Sequence, residues 1–228
     1  MRKRFLPFYT FFLVHFSGCL SSTPFQSARV VESGEQAATV SLQKSVDANE
    51  SQDYSWYMME MGTRLPLGSD RVDLGLSGVI MAFDGDDGIE GVGAMFGLGP
   101  KFEIFQDVLA IDMPVRVMFA GESTFESTHF YPRAILSLPL SELVEINLSH
   151  TRYFYMNAPE YQPYGFSAGF ALGRRGGVII RPEIGIVVYP ESHDLLQFGI
   201  AFTPEGTTGD PAPDPDWATG PLDDQTPH

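Results

Sequence analysis

Two short stretches carry the side chains best suited to chemistry. Residues 84–87 read Asp-Gly-Asp-Asp, and residues 193–194 read His-Asp. Aspartate and histidine are the usual groups for general acid and base work, and the Asp84-x-Asp86 spacing also offers oxygen ligands to Ca²⁺ or another divalent cation. His129 beside Ser127 and His150 beside Ser149 are further candidates. Each has a plainer account: Asp-Gly is a turn signature, Asp87 belongs to a solvated acidic loop, and a histidine near a strand end is an ordinary rim residue. The sequence has no glycine-rich phosphate loop and no clustered His/Cys ligand set. It therefore calls for no cofactor, no metal centre and no catalytic residue, and its balance is against an enzyme.

Composition narrows the class. The 228 residues carry a formal charge of −15, which repels the phosphates of nucleic acid and excludes it as a partner. Charged residues make up only 19%, while Gly, Phe and Tyr are plentiful, a balance that favours β-structure. Arg2, Lys3 and Arg4 precede the apolar run 5–16, which is too short to span a bilayer and has the length of a signal-peptide core. The only cysteine, Cys19, follows Ser17-Gly18, so no disulfide framework is available. Ser17-Gly18-Cys19 resembles the lipobox of bacterial lipoproteins, which implies cleavage after residue 18 and a lipidated Cys19.

The elements that must position everything else are strands. After a polar leader, ten β-segments are expected at 37–46, 54–65, 70–83, 92–105, 108–119, 128–139, 143–155, 161–173, 177–189 and 195–203. Gly or Pro interrupts nearly every window, and no helical period persists. Tight connections (66–69, 105–107, 139–142, 173–177) alternate with acidic or polar ones that are mostly longer (47–53, 84–91, 121–128, 157–163, 190–194). That alternation predicts an up-and-down meander rather than a Greek-key sandwich.

The parity of these segments decides which face is wet. In 177–189 the even positions are Ile180, Pro182, Ile184, Ile186 and Val188, and the odd ones include Arg181 and Glu183. Even positions are also the apolar ones in 70–83, 92–105, 128–139, 143–155, 161–173 and 195–203; in 54–65 and 108–119 the odd ones are. The opposite face is small and charged, with Glu60, Arg64, Asp73, Lys101, Glu103, Asp112, Arg116, Arg133, Glu145, Arg181 and Glu183 set among glycines. A Lys or Arg facing lipid at mid-bilayer costs about 2–4 kcal/mol, so in a membrane barrel these charges must line the lumen. Aromatic residues including Tyr54, Trp56, Phe130, Tyr131, Phe154, Tyr155, Tyr164 and Tyr189 gather at the longer-loop ends and predict an interfacial girdle. Lys44 and Arg152 fall on the apolar phase near strand ends, where long cations snorkel.

On these features the chain resembles the small bacterial outer-membrane β-barrels: an all-β, up-and-down antiparallel transmembrane barrel of about ten strands. The expected layout is a signal peptide at 1–18, a leader at 19–36, the barrel at 37–203 and an acidic, Pro-rich disordered tail at 204–228. The resemblance implies an outer-membrane location, membrane lipid as main partner with lipopolysaccharide as a candidate, and insertion by a barrel-assembly machinery. The expected role is envelope-structural or small-ligand, without a large pore. Asp84, Asp86, His193 and Asp194 also resemble the Asp-Asp and Asp-His pairs of the omptin proteases, which implies as an alternative a surface hydrolase; His129 and His150 are the nearest counterparts of the His and Ser that lipid A deacylases carry on the lipid-facing wall. A soluble periplasmic barrel lipoprotein with an apolar interior is the third reading.

Overall fold

A computed structural model describes residues 25–31, 35–48, 55–85, 88–120, 123–156, 162–173, 177–190 and 194–207. Thirteen extended segments form one antiparallel sheet: β1 (Glu35–Asp47), β2 (Ser55–Ser69), β3 (Val72–Gly85), β4 (Gly88–Phe105), β5 (Leu109–Asp112), β6 (Val115–Ala120), β7 (Ser123–Phe130), β8 (Arg133–Pro139), β9 (Val144–Arg152), β10 (Phe154–Tyr155), β11 (Tyr164–Leu172), β12 (Val178–Val188) and β13 (Leu195–Thr207). Successive strands pair, and β1 pairs with β13 from Glu35–Thr207 to Asp47–Leu195, so the sheet closes into a barrel. The segments β5 and β6, β7 and β8, and β9 and β10 are halves of three interrupted strands, so the barrel has ten.

Two of the interruptions have a local cause. Met113-Pro114 and Tyr131-Pro132 place a residue without an N–H in the ladder. The proline carbonyls still pair across the gaps, accepting from the Tyr131 N–H at 3.2 Å and the Arg152 N–H at 3.0 Å. Elsewhere the strands outrun their expected limits. The acidic stretch 84–91 is mostly hairpin, with Gly85 paired to Gly88, and Ala120 pairs with Ser123 across the next connection. The sheet also takes residues 204–207 from the expected tail. Residues 1–24 and 208–228, with the signal segment, Cys19 and the rest of the tail, lie outside the described residues.

The faces divide by parity. Leu42, Met61, Ile80, Val92, Phe96 and Ile184 are all about half exposed or more on the outside, and such positions recur around the closed sheet. Contiguous apolar surface on that scale has no place in water. Inside, the wall buries arginines, aspartates and glutamates, which is the reverse of a soluble protein. The soluble barrel with an apolar interior is therefore overturned: its charges would have to be outside. A closed sheet also leaves no unpaired edge, the condition for crossing hydrocarbon with strands.

The inner face is more varied than "small and charged". Met58, Met81, Met95 and Met118 are buried together with Val79 on the β2–β6 side, Met58 opposite Met81 and Met95 opposite Met118. Trp56, Tyr131, Tyr155 and Tyr189 also point inward, forming with Tyr153, Val187 and Leu195 an apolar cluster nearer the longer-loop end. These four aromatics thus correct the girdle expected at the lipid surface. Trp56 sits on the inward phase of β2 beside the outward-facing Tyr57, and Tyr131 falls at the proline break. Lys44 and Arg152 do face outward, lying 5.0 Å and 5.7 Å from the rings of Tyr57 and Tyr164.

The two-faced sheet predicts a depth profile. Ile184→Arg, at the middle of β12, is expected to cost about 2–4 kcal/mol of folding stability in lipid vesicles, and Val178→Arg, at its end, about 0–1 kcal/mol. Urea titration of vesicle-folded protein measures both. Equal costs would contradict the membrane-facing assignment.

Candidate functional site in the barrel lumen

The lumen contains part of the chain itself. Phe25–Val31, within the stretch that reads as a polar leader, lies inside the barrel, with Phe25, Ala28, Val30 and Val31 buried. The wall meets this segment through its backbone. The Phe25 N–H donates to Glu183 Oε2 at 3.2 Å, the Ala28 N–H to Ser137 Oγ at 2.7 Å, and the Val31 N–H to Asp73 Oδ2 at 3.0 Å. Lys101 Nζ donates to the carbonyls of Ser27 and Arg29. Side chains add shape. A Cβ on Gly199 would stand 2.2 Å from the Phe25 ring, so only glycine leaves room for it there. Ala28 packs with Ala110 and Ile135, and the Arg29 guanidinium lies 3.8 Å from Asp107.

Around this segment the wall charges are paired. Arg64 bridges Asp73 and Asp112, reaching Asp112 Oδ1 at 2.8 Å. Lys101 Nζ stands 3.5 Å from Asp73 Oδ2, Arg116 binds Glu60, and Arg181 lies 3.7 Å from Glu145. Glu103 accepts from the Asp107 N–H at 2.8 Å. Arg133 has only a 4.0 Å approach to Asp112 Oδ2. All eleven charged residues singled out in the sequence are thus on the inner wall. Nine are buried, while Glu60 and Glu145 are partly exposed.

Glycines give the arginines their space. A Cβ on Gly97 would lie 2.6 Å from Ser77 Oγ and 3.0 Å from Arg116 Cγ, and one on Gly75 would lie 3.2 Å from the Arg64 guanidinium carbon. The Arg116 and Arg133 guanidinium carbons stand 5.1 Å and 5.4 Å from the Tyr131 ring, a cation–π arrangement on one buried phenol.

The chemistry-bearing pairs are described only in part. Asp86, Asp87 and His193 lie outside the described residues, while Asp84 is paired into the sheet opposite Ile89 and Asp194 accepts the Ala48 N–H through its carbonyl. Ser149 points inward and bonds Ser167 at 2.7 Å, whereas His150 packs 4.7 Å from the Phe166 ring, on the other face. Adjacent residues of a strand cannot share a face, so this pair cannot act together. His129 is no rim residue: it is buried, 4.6 Å from the Tyr155 ring. Among the described residues no three His, Cys, Asp or Glu side chains could hold a metal ion.

A closed antiparallel sheet with an apolar exterior and a charged, self-occupied interior defines the class: a transmembrane β-barrel of the bacterial outer-membrane type. Its two faces place it in that membrane. The sequence matches no protein-family model and no curated protein. In shape it is similar to an outer membrane channel from Pseudomonas putida F1 (TM-score 0.47, 10% identity, 82% of this chain and 99% of that one). It is similar too to the translocator domain of the autotransporter NalP from Neisseria meningitidis (TM-score 0.44, 8% identity, 87% and 94%) and to the KdgM porin (TM-score 0.39, 10% identity, 72% and 98%). The likeness is one of barrel architecture.

The pairing pattern sets a stability test. Asp112→Asn leaves Arg64 and Arg133 short of a buried counter-charge and is expected to cost about 3–5 kcal/mol. Asp70→Asn, in an exposed turn, should stay within about 0.5 kcal/mol. Urea unfolding of both variants in vesicles checks this; an equal cost would contradict it.

Proposed function

We propose that this chain is a bacterial outer-membrane barrel, anchored through a lipidated Cys19, whose lumen is closed by its own N-terminal segment and serves a small-ligand role rather than an open pore. The observation that carries the reading is Phe25–Val31 seated in the lumen by hydrogen bonds from three of its N–H groups and to two of its carbonyls. Each of those contacts gives a hydrogen-bond partner to a polar group inside the barrel. The paired wall charges occupy further space. Lipidation is supported by the small residues Ser17 and Gly18 directly before the lone Cys19.

Planar-bilayer recording tests the closure. The full-length protein is expected to show no steady conductance of porin size, and a variant lacking residues 25–31, verified as folded by its heat-dependent gel mobility, is expected to conduct. Steady porin-sized conductance from the full-length protein would overturn the reading. Silence from both proteins would remove the segment's role in closure. For the anchor, cells fed labelled palmitate should label the wild type and leave Cys19→Ser unlabelled; equal labelling would refute lipidation at that residue.

A further inference from the structure

We propose that the cavity between the lumenal segment and the surrounding barrel wall binds a small oxyanion, a carboxylate or a phosphate, with Arg133 as its principal anchor. The proposal rests on the closed-lumen reading and names the ligand class that such a lumen would take.

The argument begins with the acids. Glu60 is engaged by Arg116, Asp73 and Asp112 by Arg64, and Glu145 by Arg181. Glu103 and Glu183 accept backbone N–H groups from Asp107 and Phe25. Each of these six carboxylates therefore has a closer partner than Arg133. The side chain of Arg133 is only 4% exposed, yet its one ion pair spans 4.0 Å. It makes no hydrogen bond among the described residues, and its Nε is buried without a partner. A guanidinium carries five donors, and leaving them unmet in a buried site is costly.

The surroundings favour an anion. Arg133 lines a cavity of about 110 Å³, where about 10–15 Å³ suffices for one water. Arg64 and Arg116 line it too, and each has a buried Nε without an acceptor. The Arg116 and Arg133 guanidinium carbons lie 5.1 Å and 5.4 Å from the centroid of the Tyr131 ring, which lines the same cavity. The fork of N–H donors along a guanidinium edge suits two oxygens of one carboxylate or phosphate. Ser41, Ser77 and Thr203 add hydroxyls to the lining.

Titration calorimetry on the detergent-folded full-length protein, with inorganic phosphate and with acetate in separate runs at matched ionic strength in chloride, tests this. At least one anion is expected to bind saturably. Arg133→Gln should weaken that binding at least 10-fold, and Arg152→Gln, altering an outward-facing cation, should leave it unchanged. The more tightly bound anion identifies the headgroup class. Neither anion binding beyond the chloride background, or binding weakened less than 3-fold by Arg133→Gln, would overturn the proposal. If Arg133→Gln does not fold, as judged by heat-dependent mobility, the wild-type thermal midpoint decides: a saturable rise with either anion over chloride supports the site, and none refutes it. Because binding is read without conductance, the site can fail while the closed lumen stands.

Discussion

The pairing of β1 with β13 is the contact on which the rest of the structure depends. It joins residues 148 to 172 positions apart into one ladder, and with it every strand has a neighbour on both sides. In hydrocarbon an open edge would leave N–H and C=O groups with no partner, each at several kcal/mol. Once the sheet is closed, the two-residue period of a strand assigns every side chain to lipid or to lumen. Arg181 and Glu183 can then sit in the middle of an otherwise apolar strand because their phase points inward.

An interior so lined must find partners for its buried charges. The wall does this in two ways, through pairs such as Arg64 with Asp73 and Asp112, and through the backbone of residues 25–31, whose N–H groups meet Glu183 and Asp73. The lumenal segment is thus part of the electrostatic solution as well as a filler of space. The glycines belong to the same arrangement. Gly199 makes the recess for Phe25, while Gly75 and Gly97 let Arg64 and Arg116 lie against the wall.

How much of this could be read from the sequence follows from the range of each interaction. The strands, their number and the outward phase were legible because period-two alternation is local, as in Phe96, Leu98, Phe102 and Ile104 on β4. The placement of Phe25–Val31 was not, since Thr-Pro-Phe-Gln-Ser-Ala-Arg reads as a polar leader and its partners lie between 42 and 158 residues away. The methionine cluster needed the registers of β2 with β3 and of β4 with β6 before Met58 met Met81 and Met95 met Met118. Trp56 and Tyr189 were misplaced at the lipid surface because their closeness to the longer loops outweighed their parity. Arg133 was legible as a lumenal charge, but its lack of a close partner appears only when the other pairs are known.

The most direct test of the central claim is made on membranes from cells expressing Cys19→Ser, which removes any lipid anchor. The membranes are washed with alkaline carbonate, and unheated and boiled samples are compared on a denaturing gel. An integral inside-out barrel predicts retention in the membrane and a band whose mobility changes on boiling. Extraction by carbonate, with one mobility at both temperatures, would contradict it.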